Sequence, residues 1–159
     1  MLVKLIKDEG FSDYKKPYMF IGTPFCSFKC CIEANIPISV CQNSSWAQSI
    51  SIFCSNEEII KRYRKNPITE AIVFGGLEPL DSWEDLLSFI RVFREKSEDD
   101  IVIYTGYNEY EVTDKIRELS NFSNIIIKFG RFIPDQEPKF DEVLGITLAS
   151  PNQYGKKIS

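Results

Sequence analysis

The 159-residue chain has no histidine, two methionines, two tryptophans, and no apolar run near the roughly 20 residues that cross a bilayer. Without histidine it lacks the commonest nitrogen ligand and the usual general base, so any metal or redox role falls on sulfur and carboxylate. Charge of neither sign dominates: 19 Lys and Arg stand against 23 Asp and Glu, a formal −4, and the basic residues are scattered rather than striped. That leaves no electrostatic footprint for nucleic acid. The opening Met1–Glu9 stretch is charged too early and too often for a signal peptide. These absences predict a soluble, cytoplasmic protein with neither a nucleic-acid nor a membrane partner. The length predicts a single domain over 1–159, since a chain of this size buries about 70% of its unfolded surface and needs no disulfide staples.

What the sequence does have is cysteine in one place. Four of its five cysteines are Cys26, Cys30, Cys31 and Cys41, in a segment running from Gly22 to Asn43; Cys54 lies downstream. In a reducing compartment such thiols are metal-bound or free rather than paired. The spacings Cys26-x3-Cys30 and Cys30-x10-Cys41 match neither ferredoxin pattern. A zinc site remains an alternative, poorly matched because Cys41 and Cys54 are too far apart to form a second close pair. A set of three thiolates that leaves one corner of an iron–sulfur cluster free does fit. Cys31 and Cys54 read as small buried hydrophobes, although Cys31 is also a rival ligand.

The rest of the chain alternates in type. Leu2–Ile6 reads as a short edge strand and Tyr18–Ile21 as a buried strand leading into the cysteine segment. Glu57–Tyr63 reads as a helix with Ile59, Ile60 and Tyr63 on its apolar face. Ala71–Phe74, Ile101–Tyr104 and Asn124–Phe129 are apolar strands. Between them lie a helix carrying Trp83, Leu86, Leu87 and Ile90, capped from Asp81 or Ser82, and a helix over Tyr110–Leu119. A last strand is predicted near Val143–Thr147, after a long loop, and a frayed basic tail at Lys156–Lys157. Strands alternating with amphipathic helices predict an α/β fold with a mostly parallel sheet. In such folds ligands bind beyond the carboxyl ends of the strands, so Gly75-Gly76, Thr105-Gly106, Gly130 and the cysteine segment should border one cleft.

With those residues in view, the chain resembles the radical S-adenosylmethionine enzymes, whose cluster loop is C-x3-C-x2-C. Cys41-Gln42-Asn43 is similar to the end of that loop in the activase branch. The resemblance implies Cys26, Cys30 and Cys41 as ligands of a [4Fe-4S] cluster and an incomplete (β/α) barrel as the fold. Eight extra residues separate the second and third cysteines, and Val40 stands where an aromatic residue is common. Gly75-Gly76-Leu77-Glu78-Pro79 resembles the glycine-rich motif whose backbone and acid hold the amino group of S-adenosylmethionine, with Leu77 as one extra residue. The Thr105-Gly106 strand end would border the same cofactor. Tyr104-Thr105-Gly106-Tyr107, Gly130-Arg131-Phe132 and Asn152-Gln153 are similar to segments of the activating component of anaerobic (class III) ribonucleotide reductase. Phe129 replaces the acid usual before Gly-Arg-Phe. This resemblance implies reductive cleavage of S-adenosylmethionine and formation of a glycyl radical on the large subunit of that reductase, with a flavodoxin-like electron donor and no general acid or base. Two alternatives stay open: a small-molecule radical enzyme of the 7-carboxy-7-deazaguanine synthase type, and a non-enzymatic iron–sulfur electron carrier or sensor.

Overall fold

The computed structural model describes residues 1–159. The chain opens with β1 (Leu2–Val3), β2 (Leu5–Gly10) and β3 (Tyr18–Gly22). The cysteine segment carries two short helices, α1 (Lys29–Glu33) and α2 (Ser44–Gln48), and is followed by β4 (Ile52–Phe53) and α3 (Asn56–Tyr63). Strand and helix then alternate: β5 (Ala71–Gly75), α4 (Trp83–Arg94), β6 (Asp100–Tyr104), α5 (Thr113–Leu119) and β7 (Ile125–Phe129). Three short strands close the chain, β8 (Lys139–Asp141), β9 (Ile146–Leu148) and β10 (Tyr154–Lys157).

Six strands form one open sheet in the order β10-β7-β6-β5-β3-β2, with β3, β5, β6 and β7 parallel and the two edge strands antiparallel. The mostly parallel α/β sheet is therefore as predicted, but the edges do not meet and no closed barrel forms. Every residue of β5 and of β7 is buried, as expected for strands covered on both faces. On one face Ile72, Phe74, Ile101, Ile103, Ile125 and Ile127 pack against Ile59, Leu86, Phe89 and Phe93 of the helices. Phe89 stacks on Phe93 at 5.7 Å and meets the edge of Phe74 at 5.3 Å. On the other face Ala71, Val73, Val102 and Ile126 are covered by Tyr14, Leu144 and Leu148 instead of a helix. Period-2 alternation thus sends neighbouring residues of one strand to two differently built layers. No helix is long and apolar enough to cross a membrane.

Three local expectations need correction. Leu2–Ile6 is not one strand: β1 pairs with β4, and only from Leu5 does the chain become the sheet edge as β2. The predicted strand at Val143–Thr147 lies at Ile146–Leu148, in a hairpin with β8 outside the main sheet, after a turn in which Gly145 takes φ +71°. The Lys156–Lys157 tail is not frayed; it is in β10, antiparallel to β7, with Lys156 bound to Glu109 at 2.5 Å. Its composition hid it, because charge suits an edge strand that has no neighbour beyond it.

Candidate functional site

The chain leaving β3 is stitched to the chain leaving β5. Buried Thr23 donates its N–H to the Gly75 carbonyl at 3.0 Å and its hydroxyl to the Leu77 carbonyl at 2.9 Å, and the Glu78 N–H donates to the Phe25 carbonyl at 3.0 Å. Asp81 continues the seam, accepting the Ser27 N–H at 2.7 Å and the Tyr107 hydroxyl at 2.6 Å. The predicted helix cap is therefore absent: Asp81 is turned to the cysteine loop, Ser82 makes no side-chain cap, and Pro79–Ser82 is a 3-10 turn ahead of α4. Phe28, with φ 54°, redirects the chain into α1.

Cys26 and Cys30 line one small pocket with Ser27, Lys29, Glu78, Gly106, Tyr107 and Arg131. Burial pushes the Cys26 thiol up to about 12 against the Phe28 N–H, which donates to its sulfur at 3.2 Å, and the negative charges of Glu78 and Cys30 add to the shift. Cys31 lies beneath, 2% exposed. Burial pushes it up to about 11, helped by neighbouring Cys30 and by Cys41. Cys41 itself lines a second hollow, beside Gln42 and Asn43. Cys54 is remote, packed against the core near Ile6 and Arg62. All five thiols are free, and no three Cys, Asp or Glu side chains converge closely enough to hold a metal ion. The structure thus brings Cys26 and Cys30 to one pocket and Cys41 to another, with Cys31 buried within the electrostatic reach of Cys30 and Cys41.

Glu78 is buried at the mouth of β5, its oxygens accepting the Leu80 N–H at 3.1 Å and the Gly106 N–H at 2.8 Å. Burial raises its carboxyl to about 7, outweighing those bonds and the Thr105 hydroxyl. Pro79 is buried and starts the 3-10 turn. Buried Thr105 accepts the Tyr107 N–H at 3.0 Å. Gly106 gives its N–H to Glu78 and its carbonyl to Arg131 at 2.7 Å, and a Cβ there would touch only Glu78, at 3.6 Å. The other glycines serve close packing within the chain. A Cβ on Gly75 would sit 3.2 Å from Phe20, and one on Gly76, at φ +81°, 2.2 Å from the Trp46 ring. The Gly75-Gly76 turn is thus roofed by the indole of α2, while Thr105-Gly106, the cysteine loop and Arg131, next to Gly130, border the pocket.

The ionic brace was not legible in the sequence. Arg131 reaches Glu33 at 2.6 Å and Glu111 at 2.8 Å, and Lys29 reaches the same Glu111 oxygen at 2.5 Å. Burial alone would push the Glu111 carboxyl up, but Lys29, the Asn108 N–H and Arg131 overcome it and hold it down at about 2. The brace fixes α1, and with it Cys30, to the ends of β6 and β7. Arg131 and Tyr107 lie in motifs visible in the sequence; Lys29, Glu33 and Glu111 look like ordinary solvated charges.

The raised Glu78 carboxyl sets a pH dependence. A group raised on folding stabilises fully below its unfolded value, here 4.5, and that contribution is lost as pH rises through the folded value of about 7. Glu78→Gln removes the loss. In denaturant titrations the variant should gain on the wild type between about pH 5 and 8, by at most roughly 3 kcal/mol. A difference independent of pH would show that Glu78 does not titrate there.

A family model described as a 4Fe-4S single cluster domain matches residues 24–148. The chain belongs to this family. No curated protein and no solved structure is matched. The donor set fits the family's cluster in chemistry: thiolates from one loop, with no imidazole or disulfide competing. A thiol held as high as Cys26 is a poor nucleophile when free, and a bound cation beside it reverses that preference toward thiolate.

Proposed function

We propose that this 4Fe-4S single cluster protein is a radical S-adenosylmethionine activase. Its cluster is held by Cys26, Cys30 and Cys41, and its partner is the glycyl-radical large subunit of an anaerobic ribonucleotide reductase. The observation that carries the reading is one shared pocket: two cysteines separated by three residues and the buried Glu78 of a Gly-Gly-x-Glu-Pro turn face the same space. When bound, the cluster supplies the single electron that splits the sulfonium into methionine and a 5′-deoxyadenosyl radical, which takes hydrogen from the partner's glycine. A flavodoxin-like donor provides the electron.

The chain's own work is placement. Glu78 would accept from the amino group of the methionyl moiety, while Gly75 and Gly76, packed under Phe20 and Trp46, and buried Pro79 set the turn that aims it into the pocket. Thr105 and Gly106 close the neighbouring wall. Asp81 and Tyr107 pin Ser27, and the Arg131 brace pins α1, so that Cys26 and Cys30 keep a fixed separation. For Cys41 to join them, the segment between Cys31 and Cys41 would fold inward.

The test is anaerobic reconstitution with iron and sulfide, strong reductant and S-adenosylmethionine, followed by assay of 5′-deoxyadenosine. The activase reading expects product, and a glycyl radical signal when the reductase subunit is added. Product without that signal points to the small-molecule alternative of the 7-carboxy-7-deazaguanine synthase type. A stable cluster that yields no product and has no affinity for S-adenosylmethionine identifies an electron carrier or sensor instead.

A further inference from the structure

The ionic brace is built with its cations toward the cysteine pocket and its acids behind them. Lys29 and Arg131 line that pocket with Cys26 and Cys30, whereas neither Glu33 nor Glu111 does. Both cations also lie against the Tyr107 ring, 5.4 and 6.0 Å from its centre, which keeps them at the pocket wall. Glu111 Oε1 accepts from Lys29 at 2.5 Å and from Arg131 at 2.8 Å, and its Oε2 accepts the Asn108 N–H at 2.8 Å. One carboxylate thus balances two cations from a side chain only 9% exposed, while Glu33, which reaches the same two at 3.6 and 2.6 Å, is 45% exposed. Water and salt screen a charge at Glu33 far more than one at Glu111. Glu111 is held down at about 2, so it stays charged across the working pH range. A [4Fe-4S] cluster becomes one charge more negative when it takes an electron, so fixed charges beside it set how readily it is reduced. Two unbalanced cations would favour the reduced form, and the acid behind them opposes that.

We propose that Glu111 tunes the cluster, holding its reduction potential down by neutralising Lys29 and Arg131 at the pocket wall, which rests on the reading that Cys26 and Cys30 hold the cluster and not on S-adenosylmethionine chemistry. The step concerned is the transfer of one electron from an external reductant to the oxidised cluster, with no bond made or broken.

The test is a potentiometric titration of the anaerobically reconstituted full chain with dithionite, following the reduced cluster by electron paramagnetic resonance. Glu111→Gln, which keeps an acceptor for the Asn108 N–H, should raise the reduced-to-oxidised ratio at a fixed potential about tenfold, a midpoint shift of about 59 mV for one electron. Glu33→Gln should move it the same way by less, and Glu111→Asp should stay near the wild type. Lys29→Gln should lower it, and the double variant Lys29→Gln/Glu111→Gln should return close to the wild-type value. Opposite signs from the two members of one ion pair are the decisive readout, because a brace that only holds shape is broken equally by either change. If Glu111→Gln takes up no cluster, Glu33→Gln and Lys29→Gln carry the test with the same signs. Unshifted potentials, or shifts of one sign in Glu111→Gln and Lys29→Gln, overturn the proposal, and a cluster that still depends on Cys26 then leaves the ligand reading standing. A cluster that persists in Cys26→Ala overturns both.

Discussion

Cys26→Ala and Cys30→Ala should each abolish cluster binding: after anaerobic reconstitution and desalting, iron and sulfide fall to background and the brown absorption is lost. Loss of even an outer hydrogen-bond partner of a metal ligand costs about 10–100-fold in affinity, and loss of the ligand itself costs more. No residue can substitute, because the chain has no histidine and no third cysteine lines this pocket. The third ligand is the sharper question. Cys41→Ala should behave like the first two variants, and Cys31→Ala should keep its cluster. Cys31 is buried, adjacent to Cys30 and within the electrostatic reach of Cys41, so it is a genuine competitor. A cluster that survives Cys41→Ala and disappears in Cys31→Ala reassigns the ligand. Survival in Cys26→Ala or Cys30→Ala removes the site altogether.

Gly76→Ala should destabilise the protein by about 4 kcal/mol: about 1–2 from forcing an L-residue into the left-handed region and the rest from overpacking. The added carbon would lie 2.2 Å from the Trp46 ring, and Gly22 also approaches that ring, with its Cβ position at 3.2 Å. The indole cannot simply slide aside, since Phe20 meets its edge at 6.1 Å. Urea titration measures the loss, and a red shift of tryptophan emission at constant far-ultraviolet dichroism would show that α2 has lifted from the turn. Trp46→Ala in the Gly76→Ala background should recover the overpacking part and leave the backbone part. Full stability of Gly76→Ala would mean that α2 does not rest on the Gly-Gly turn. In that case the turn would be open to a ligand, as its glycines first suggest.

The helices and central strands were legible because each carries its own period. Ile59, Ile60 and Tyr63 recur at helical spacing, and β5 is an unbroken apolar run, so local pattern and burial agree. Cys26, Cys30 and Glu78 were legible as types at a spacing, and the fold places them in one pocket. Asp81 was misread for a physical reason: an acid ahead of a helix looks the same whether it caps that helix or reaches across to Ser27 and Tyr107. The brace of Lys29, Glu33, Glu111 and Arg131 pairs residues as distant as Glu33 and Arg131, 98 positions apart, and no local pattern encodes such a pairing.

By itself, the amino-acid order determined the donor chemistry and the alternation of strand and helix. Both follow from residue type and short-range spacing: thiolates are the only soft ligands present, and periodicity selects which face of each element is buried. Tertiary structure alone decided that the sheet stays open between antiparallel edges, that Trp46 covers the Gly-Gly turn, and that Arg131 and Lys29 meet on Glu111. Each of these is set by which distant segments meet. That depends on the global packing of two unlike layers on one sheet, which spacing along the chain does not record.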